Sequence, residues 1–245
     1  MRFPQGSSDR TRSGAARFQT TQWSVILRAG QGAEEALLRL CRNYWTPLYA
    51  YTRRRGHSPH EAEDLTQSFF AHVLEHRSFE TVAPAKGRFR SFLLVSLKHF
   101  LDNEFHKERA LKRGGHHFIV SWDDLPPGAR DAFEPSLNLP PEKVFDREWA
   151  VTLVGRVMKQ LQKECETARK GELFERLKGS LTGDPSVESY EQIAAALKMS
   201  EGAVKVSAHR LRRRFGELLR EQVQRTVGDP SQVDEELREI LAALL

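Results

Sequence analysis

Three side chains that can donate hydrogen bonds recur at every fourth position late in the chain, namely Lys205, His209 and Arg213. Residues four apart lie on one face of a helix, so these side chains would project together. A lysine, a histidine and an arginine placed in this way suit phosphate groups and the edges of nucleic-acid bases. The chemistry that this pattern predicts is binding rather than bond breaking.

The other face of the same segment is apolar, which predicts how the helix packs. Its apolar stripe consists of Val204, Ala208, Leu211 and Phe215. Ser200 suits the N-cap of this helix.

A shorter helix precedes it, with an apolar stripe of Tyr190, Ile193, Ala194 and Leu197. Ser189 and Gln192 have the spacing of a capping box at its start. The pair predicts a helix-turn-helix, and an ordinary helical hairpin with a solvated basic face is the alternative interpretation.

A long helix predicted over residues 88–113 combines aromatic and basic side chains. Its core-facing residues are Leu93, Leu97, Phe100 and Leu101. A second face contains Phe92, His99, Asn103 and His106, and the helix entrance contains Arg88, Phe89 and Arg90. Aromatic rings beside cations suit single-stranded nucleic acid, whose bases stack on the rings. Packing of these rings in a helical core is the other interpretation.

An earlier helix has an acidic and polar outer face. Ser58, Pro59 and Glu61 predict its start, because they combine a capping box with a proline at the first helical position. The helix is expected to end near His76. Its buried stripe is Ala62, Leu65, Phe69 and Val73, and its outer arc is Asp64, Gln67, Ser68, Ala71 and Glu75.

Composition favours a folded protein, and the modest basic excess allows a polyanionic partner. The chain has 245 residues, 39% of them hydrophobic, with 38 Lys+Arg against 33 Asp+Glu. Cys41 and Cys165 are far apart and predict buried thiols rather than a disulfide framework or a zinc site. The sequence contains no signal-peptide pattern and no apolar run long enough to cross a bilayer, so we expect a cytoplasmic protein without membrane contact.

The helical periodicity predicts an all-α fold of two small helical domains joined by a Pro/Gly-rich linker. The first domain also contains a short helix near Trp23 and a longer one over residues 33–54, and the second begins with a helix over residues 144–169. The tail predicts an amphipathic helix with the apolar stripe Val233, Leu237, Ile240, Leu241 and Leu244. The expected divisions are a disordered lead-in (1–19), the first domain (20–113), the linker (114–141), the helix-turn-helix domain (142–227) and an acidic C-terminal helix (228–245).

Three segments, in this order, resemble bacterial sigma factors of the extracytoplasmic-function type: EAEDLTQSFFAHVLEH, GRFRSFLLVSLKHFLDNEFHKERALKR and SYEQIAAALKMSEGAVKVSAHRLRRRF. The resemblance covers about residues 20–225. It implies that the first segment docks on core RNA polymerase, the second melts and recognises the minus 10 promoter element, and the third recognises the minus 35 element.

The resemblance also implies roles for individual residues. The implied polymerase contacts are Asp64 and Gln67. The implied minus 10 residues are Arg88, Phe89, Arg90, Phe92, His99, Asn103 and His106. The implied minus 35 residues are Ser200, Lys205, His209, Arg210 and Arg213. The chain departs from the family at Lys198, where a glycine is usual, and at Val206-Ser207-Ala208 in the recognition helix. Its longer linker and acidic tail resemble a longer-tailed subset.

We therefore expect a promoter-specificity subunit without a catalytic site or cofactor. Its partners would be core RNA polymerase and promoter DNA, and an anti-sigma factor is a further candidate. One alternative is a helix-turn-helix regulator that binds DNA without polymerase. Another is a metal-dependent nuclease using histidines, but the glutamate between His72 and His76 is Glu75, whereas the zincin arrangement has it directly after the first histidine. The remaining histidines considered for a metal site are His57, His60, His116 and His117.

Overall fold

The computed structural model describes residues 34–75, 88–110, 139–183, 188–227 and 229–244. Within these ranges the chain is helical and has no strand, which confirms the predicted all-α class. The helices are α1 (Glu34–Arg54), α2 (Pro59–Glu75), α3 (Phe89–Ala110), α4 (Pro141–Thr167), α5 (Gly171–Leu177), α6 (Gly179–Thr182), α7 (Tyr190–Leu197), α8 (Glu201–Gln224) and α9 (Val233–Leu244), with a 3-10 turn at Pro230–Gln232. The predicted helix near Trp23 and residues 114–138 of the linker lie outside the described residues.

Helices α1 and α2 form as their local sequence predicts. In α1, Tyr44, Leu48 and Tyr51 are buried at helical spacing, and the helix continues past Pro47 to Arg54. The start of α2 is a complete capping box. The Ser58 N–H donates to Glu61 Oε2 at 2.8 Å, and the Glu61 N–H donates to Ser58 Oγ at 3.3 Å. These bonds satisfy two N–H groups that the helix itself leaves unpaired.

Helix α3 packs its predicted apolar stripe against α2. Leu93, Leu97, Phe100 and Leu101 are all buried. The Phe100 ring meets the Phe69 ring edge-on, with 5.7 Å between centroids, and His72 lies 5.4 Å from the same ring. His72 is therefore a half-buried residue that packs against Phe100.

Helix α4 joins the first three helices to the C-terminal part of the chain. Its buried face consists of Val144, Phe145, Trp149, Ala150, Leu153, Val157 and Leu161. The face packs most extensively on α1 and also contacts α8 and α9. A continuous apolar core therefore includes residues from both predicted domains. The division into residues 20–113 and 142–227 stays a prediction.

A smaller apolar cluster connects α5, α7 and α8 through Leu177, Ile193, Ala194, Val204 and Ala208. The chain between α5 and α7 is partly helical, since residues 179–182 form α6. Lys178 keeps helical angles of φ −56° and ψ −37°, so the chain runs from α5 into α6 without a break. Gly183 then ends α6 at a φ of 75°, a conformation that glycine adopts without steric cost.

Helix α9 forms where the tail pattern predicts, but its buried face differs. Val233 and Ile240 are buried, whereas Leu241 is 55% exposed and Leu244 is 37% exposed. Glu236, which is not part of the predicted stripe, is completely buried. The predicted apolar stripe is therefore wrong at its C-terminal end, because a charged residue takes one of the buried positions.

The two cysteines differ in burial. Cys41 is buried as predicted, and burial raises the pKa of its thiol to about 12. Cys165 is only half-buried, so the prediction of a buried thiol is wrong there. Among the described residues, no helix has the length and apolar character required to span a membrane.

Candidate nucleic-acid interface

Local bonds fix the geometry of the α7–α8 pair. The Gln192 N–H donates to Ser189 Oγ at 3.2 Å, and the Ser189 N–H donates to Gln192 Oε1 at 2.9 Å, so the predicted capping box is confirmed. Lys198 ends α7 in the left-handed region, with φ 52° and ψ 43°. Ser200 caps α8 by accepting the Ala203 N–H at 3.2 Å. The two predicted helices and the turn between them are thus present.

One face of α8 presents basic side chains to solvent. Lys205, His209, Arg210 and Arg213 are all exposed. Lys205 pairs with Glu201 at 2.7 Å, and this hydrogen bond raises the pKa of the lysine. Arg213 lies 3.3 Å from a Glu217 oxygen. Exposed pairs of this kind contribute little stability, so these side chains can exchange a carboxylate for another anion.

Other residues of α8 have positions that the sequence analysis did not identify. Arg214 binds Glu164 of α4 through two hydrogen bonds of 2.8 and 2.9 Å, and therefore holds α8 against α4. Arg212 donates to the Tyr190 hydroxyl at 2.8 Å, which joins α8 to α7. Val206 is 50% exposed beside Lys205. Of these three positions, only the exposed one of Val206 could have been predicted from the sequence. Val206 precedes His209 by three residues and therefore lies on the same face of the helix.

The outer face of α3 is partly open. His99 and Asn103 are exposed, and Phe92 is half-buried. Val95, on the same side, is exposed as well. His106 lies within α3, but its side chain is outside the described part of the chain. Three of the predicted minus 10 residues therefore share an accessible or half-accessible face.

The entrance of α3 is covered by other helices. Phe89 is completely buried, with its ring 5.2 Å from that of Tyr44 in an edge-on contact. Arg88 and Arg90 make ion pairs with α9, and Arg90 is buried. Phe89 and Arg90 are thus inaccessible to DNA in this arrangement, and their predicted role stays a prediction.

The predicted polymerase-facing residues lie on the outer side of α2. Asp64 is exposed and its carboxylate lies 2.9 Å from His60 Nδ1. Gln67 is half-buried. Ala62, Phe69 and Val73 are buried and Leu65 packs partly against the core, so the apolar side of this helix agrees with the predicted stripe.

The histidines do not assemble with other ligand residues in the described ranges. There, no group of three or more His, Cys, Asp or Glu side chains is arranged to hold a metal ion. His72 packs on Phe100 and His60 pairs with Asp64. The side chain of His76 and both His116 and His117 lie outside the described residues.

Comparison with known families adds an independent finding. Residues 35–110 match the family model for Sigma-70 region 2, a range that includes α2 and α3. The match covers less than a third of the chain and makes this segment similar to region 2 of sigma-70 factors, a region that takes part in RNA polymerase binding and promoter melting. The α7–α8 pair lies outside the match. No curated protein and no solved structure matches the chain.

Proposed function

We propose that the chain is a sigma factor that binds core RNA polymerase and directs promoter-specific initiation through the minus 10 and minus 35 elements. The observation that carries this proposal is the region 2 match at residues 35–110 in a chain that also presents a basic helix face on α8. The extracytoplasmic-function type, a longer-tailed subset and a cytoplasmic location belong to the same proposal, and an anti-sigma factor is a candidate partner.

For the minus 35 element, α8 would lie in the major groove of duplex DNA. The exposed side chains of Lys205, His209 and Arg213 support this, since they can donate to phosphates and base edges without disturbing the apolar face of α8. Arg210 is also exposed, and Ser200 is positioned at the N-terminus of the helix. A bidentate contact to one base discriminates by about 1–3 kcal/mol.

For the minus 10 element, the outer face of α3 would hold bases displaced from the duplex. Phe92 offers a half-buried ring, and His99 and Asn103 offer exposed hydrogen-bonding groups. A base stacked on an aromatic ring gains about 1–3 kcal/mol, which would offset part of the cost of opening the strands. Arg88, Phe89, Arg90 and His106 complete the proposed minus 10 surface.

Polymerase binding is assigned to the outer face of α2. Asp64 is exposed there, and the region 2 match includes this helix. Replacing Asp64 and Gln67 by Ala should weaken the pull-down of core polymerase while the helical circular dichroism signal stays unchanged. The exposed residues Glu172 and Gln224 provide a control pair, one carboxylate and one amide, outside α2. Equal polymerase affinity for both double variants would refute the assignment.

The deciding experiment is selection of promoter sequences by core polymerase reconstituted with this chain. The proposal expects two enriched DNA elements at promoter spacing. His209→Ala with Arg213→Ala should abolish enrichment of the upstream element and leave polymerase association intact, because these side chains face outward. Lys159→Ala with Lys163→Ala, two exposed basic residues of α4, should leave both elements enriched.

A second candidate function is a helix-turn-helix regulator that acts without polymerase. The exposed basic face of α8 favours it equally, because that face alone suits duplex DNA. This candidate leaves the region 2 match unexplained. Sequence-specific DNA binding with no polymerase association would favour the regulator over the sigma factor.

A further inference from the structure

Two arginines at the start of α3 are held by carboxylates of the C-terminal helix α9. Arg88 Nε lies 2.9 Å from Glu236 Oε2 and its Nη2 lies 3.1 Å from Glu235 Oε2. Arg90 Nε and Nη2 lie 2.6 and 3.1 Å from the two oxygens of Glu236. Both arginines also contact Glu239. Two guanidinium groups thus share three carboxylates of one helix.

This cluster is partly sealed from water. Glu236 is completely buried and Arg90 is 6% exposed. Asp146 of α4 pairs with Arg90, whose guanidinium also lies 4.9 Å from the centre of the Trp149 ring. Burial lowers the pKa of Arg90, but the hydrogen bond to Glu236 and the nearby carboxylates outweigh it and raise the pKa overall. Arg90 therefore stays charged, and each of its three guanidinium nitrogens has a carboxylate partner.

The backbone at this point is fixed as well. The Phe89 N–H donates to the Thr226 carbonyl at 3.2 Å, just after the end of α8. The acidic helix α9 then follows directly. The end of α8 and the carboxylates of Glu235, Glu236 and Glu239 on α9 are therefore held against the first turn of α3, which is the entrance of the proposed minus 10 surface.

We propose that α9 is an internal competitor of DNA, whose carboxylates occupy the guanidinium groups of Arg88 and Arg90 that backbone phosphates would otherwise bind. This inference rests on the proposed minus 10 role of α3. Carboxylate and phosphate groups both offer paired oxygens to the fork of a guanidinium, so one arginine cannot fully serve both at once. In the free chain these two arginines are covered in this way, and phosphate contact with them requires α9 to leave.

The carboxylates of α9 that bind Arg88 and Arg90 differ in exposure, so the effect of removing charge can be measured without disturbing the buried core. The side chains of Glu235 and Glu239 are 58% and 44% exposed, so Glu→Gln at both positions removes charge without opening the core. The side chains of Glu172 and Glu175 are 72% and 48% exposed and pair with neighbouring basic residues. Glu172→Gln with Glu175→Gln is therefore a control that removes the same charge away from α9.

The measurement is the affinity of the full chain, without polymerase, for a fluorescent single-stranded oligodeoxynucleotide by anisotropy. Glu235→Gln with Glu239→Gln should bind about fivefold more tightly than the control pair, the factor expected when roughly 1 kcal/mol of competition is removed. Arg88→Ala should abolish most of this gain. Hydrogen exchange in residues 233–244 should increase when the oligonucleotide is added.

Equal affinity of the two double variants, or unchanged exchange in α9 at saturating oligonucleotide, would overturn the inference. Polymerase reconstitution with the same proteins separates this outcome from failure of the proposed function. If the chain supports promoter-specific initiation but the affinities are equal, α9 is structural and the sigma factor assignment stands. If the chain does not bind polymerase but the variant gains affinity, the competition stands and the sigma factor assignment fails.

Discussion

Replacing Lys198 by Gly should stabilise the protein. Lys198 ends α7 with φ 52° and ψ 43°, and it is exposed. The Met199 N–H donates to the Ala194 carbonyl at 2.9 Å, and the Lys198 N–H points to the Ala195 carbonyl at 3.4 Å. These two bonds form a Schellman motif, in which the left-handed residue is usually glycine.

The size of the effect follows from two opposing terms. A side chain in the left-handed region costs about 1–2 kcal/mol, which glycine avoids. Glycine loses about 0.5–1 kcal/mol more conformational entropy than alanine when the chain folds. The net gain should be about 0.5–1 kcal/mol. For a protein of this size, each kcal/mol corresponds to a rise of about 2–4 °C in Tm.

Urea denaturation monitored by circular dichroism measures this difference directly. Lys198→Gly should raise the urea midpoint at an unchanged slope. Lys178→Gly is the matched control, since Lys178 has a right-handed φ of −56° and a glycine there should lower stability by about 0.5–1 kcal/mol. If Lys198→Gly destabilises the protein as much as the control does, the left-handed strain assigned to Lys198 is absent.

Three further results are expected. Val206 should contact a thymine methyl group, so thymine-to-uracil replacement at one selected minus 35 position should weaken wild-type binding by about fourfold, the equivalent of about 0.8 kcal/mol, and leave Val206→Ala unaffected. A double-mutant cycle of Glu164→Gln and Arg214→Met should give a coupling of about 0.5–1 kcal/mol in urea denaturation, because their paired bonds are partly exposed. Arg214 lowers the pKa of Glu164 from 4.5, so this stabilisation is present above pH 4.5 and is lost as the pH falls through the lowered pKa. Wild type should consequently lose more stability on acidification than Glu164→Gln, and parallel curves would contradict the pairing.

The features that the sequence predicted well are local ones. Capping boxes at Ser58 and Ser189 depend on residues three apart, and the structure contains both pairs of bonds. The buried stripe of α3 likewise follows from helical periodicity. Such features need no knowledge of the rest of the chain, which is why helix types and faces could be predicted.

The charged contacts between distant helices could not be predicted in the same way. The Arg214–Glu164 bonds join residues 50 positions apart, and the Arg90–Glu236 bonds join residues 146 positions apart. Part of the signal was nevertheless present. Glu236 lies three residues after Val233, and Arg90 lies three residues before Leu93, so each charged residue occupies the buried side of its helix. A charged residue in an apolar stripe therefore indicated that an oppositely charged side chain lies beside it, but did not identify that side chain.

The interface between α1 and α4 contains an arginine whose hydrogen bonding is incomplete. Arg156 of α4 is half-buried there, burial lowers its pKa, and it donates to the amide oxygen of Asn43 on α1. Its Nε atom is buried and has no hydrogen-bond partner among the described residues. Water would solvate this guanidinium fully if α1 and α4 separated, which recovers part of the free energy lost by exposing apolar surface. By contrast, α8 stays attached to α4 through the Arg214–Glu164 bonds. If α8 and α9 moved with α4, opening would also break the Phe89–Thr226 backbone bond and the ion pairs of Arg88 and Arg90 with α9, so the incomplete hydrogen bonding of Arg156 offsets only part of the cost of opening.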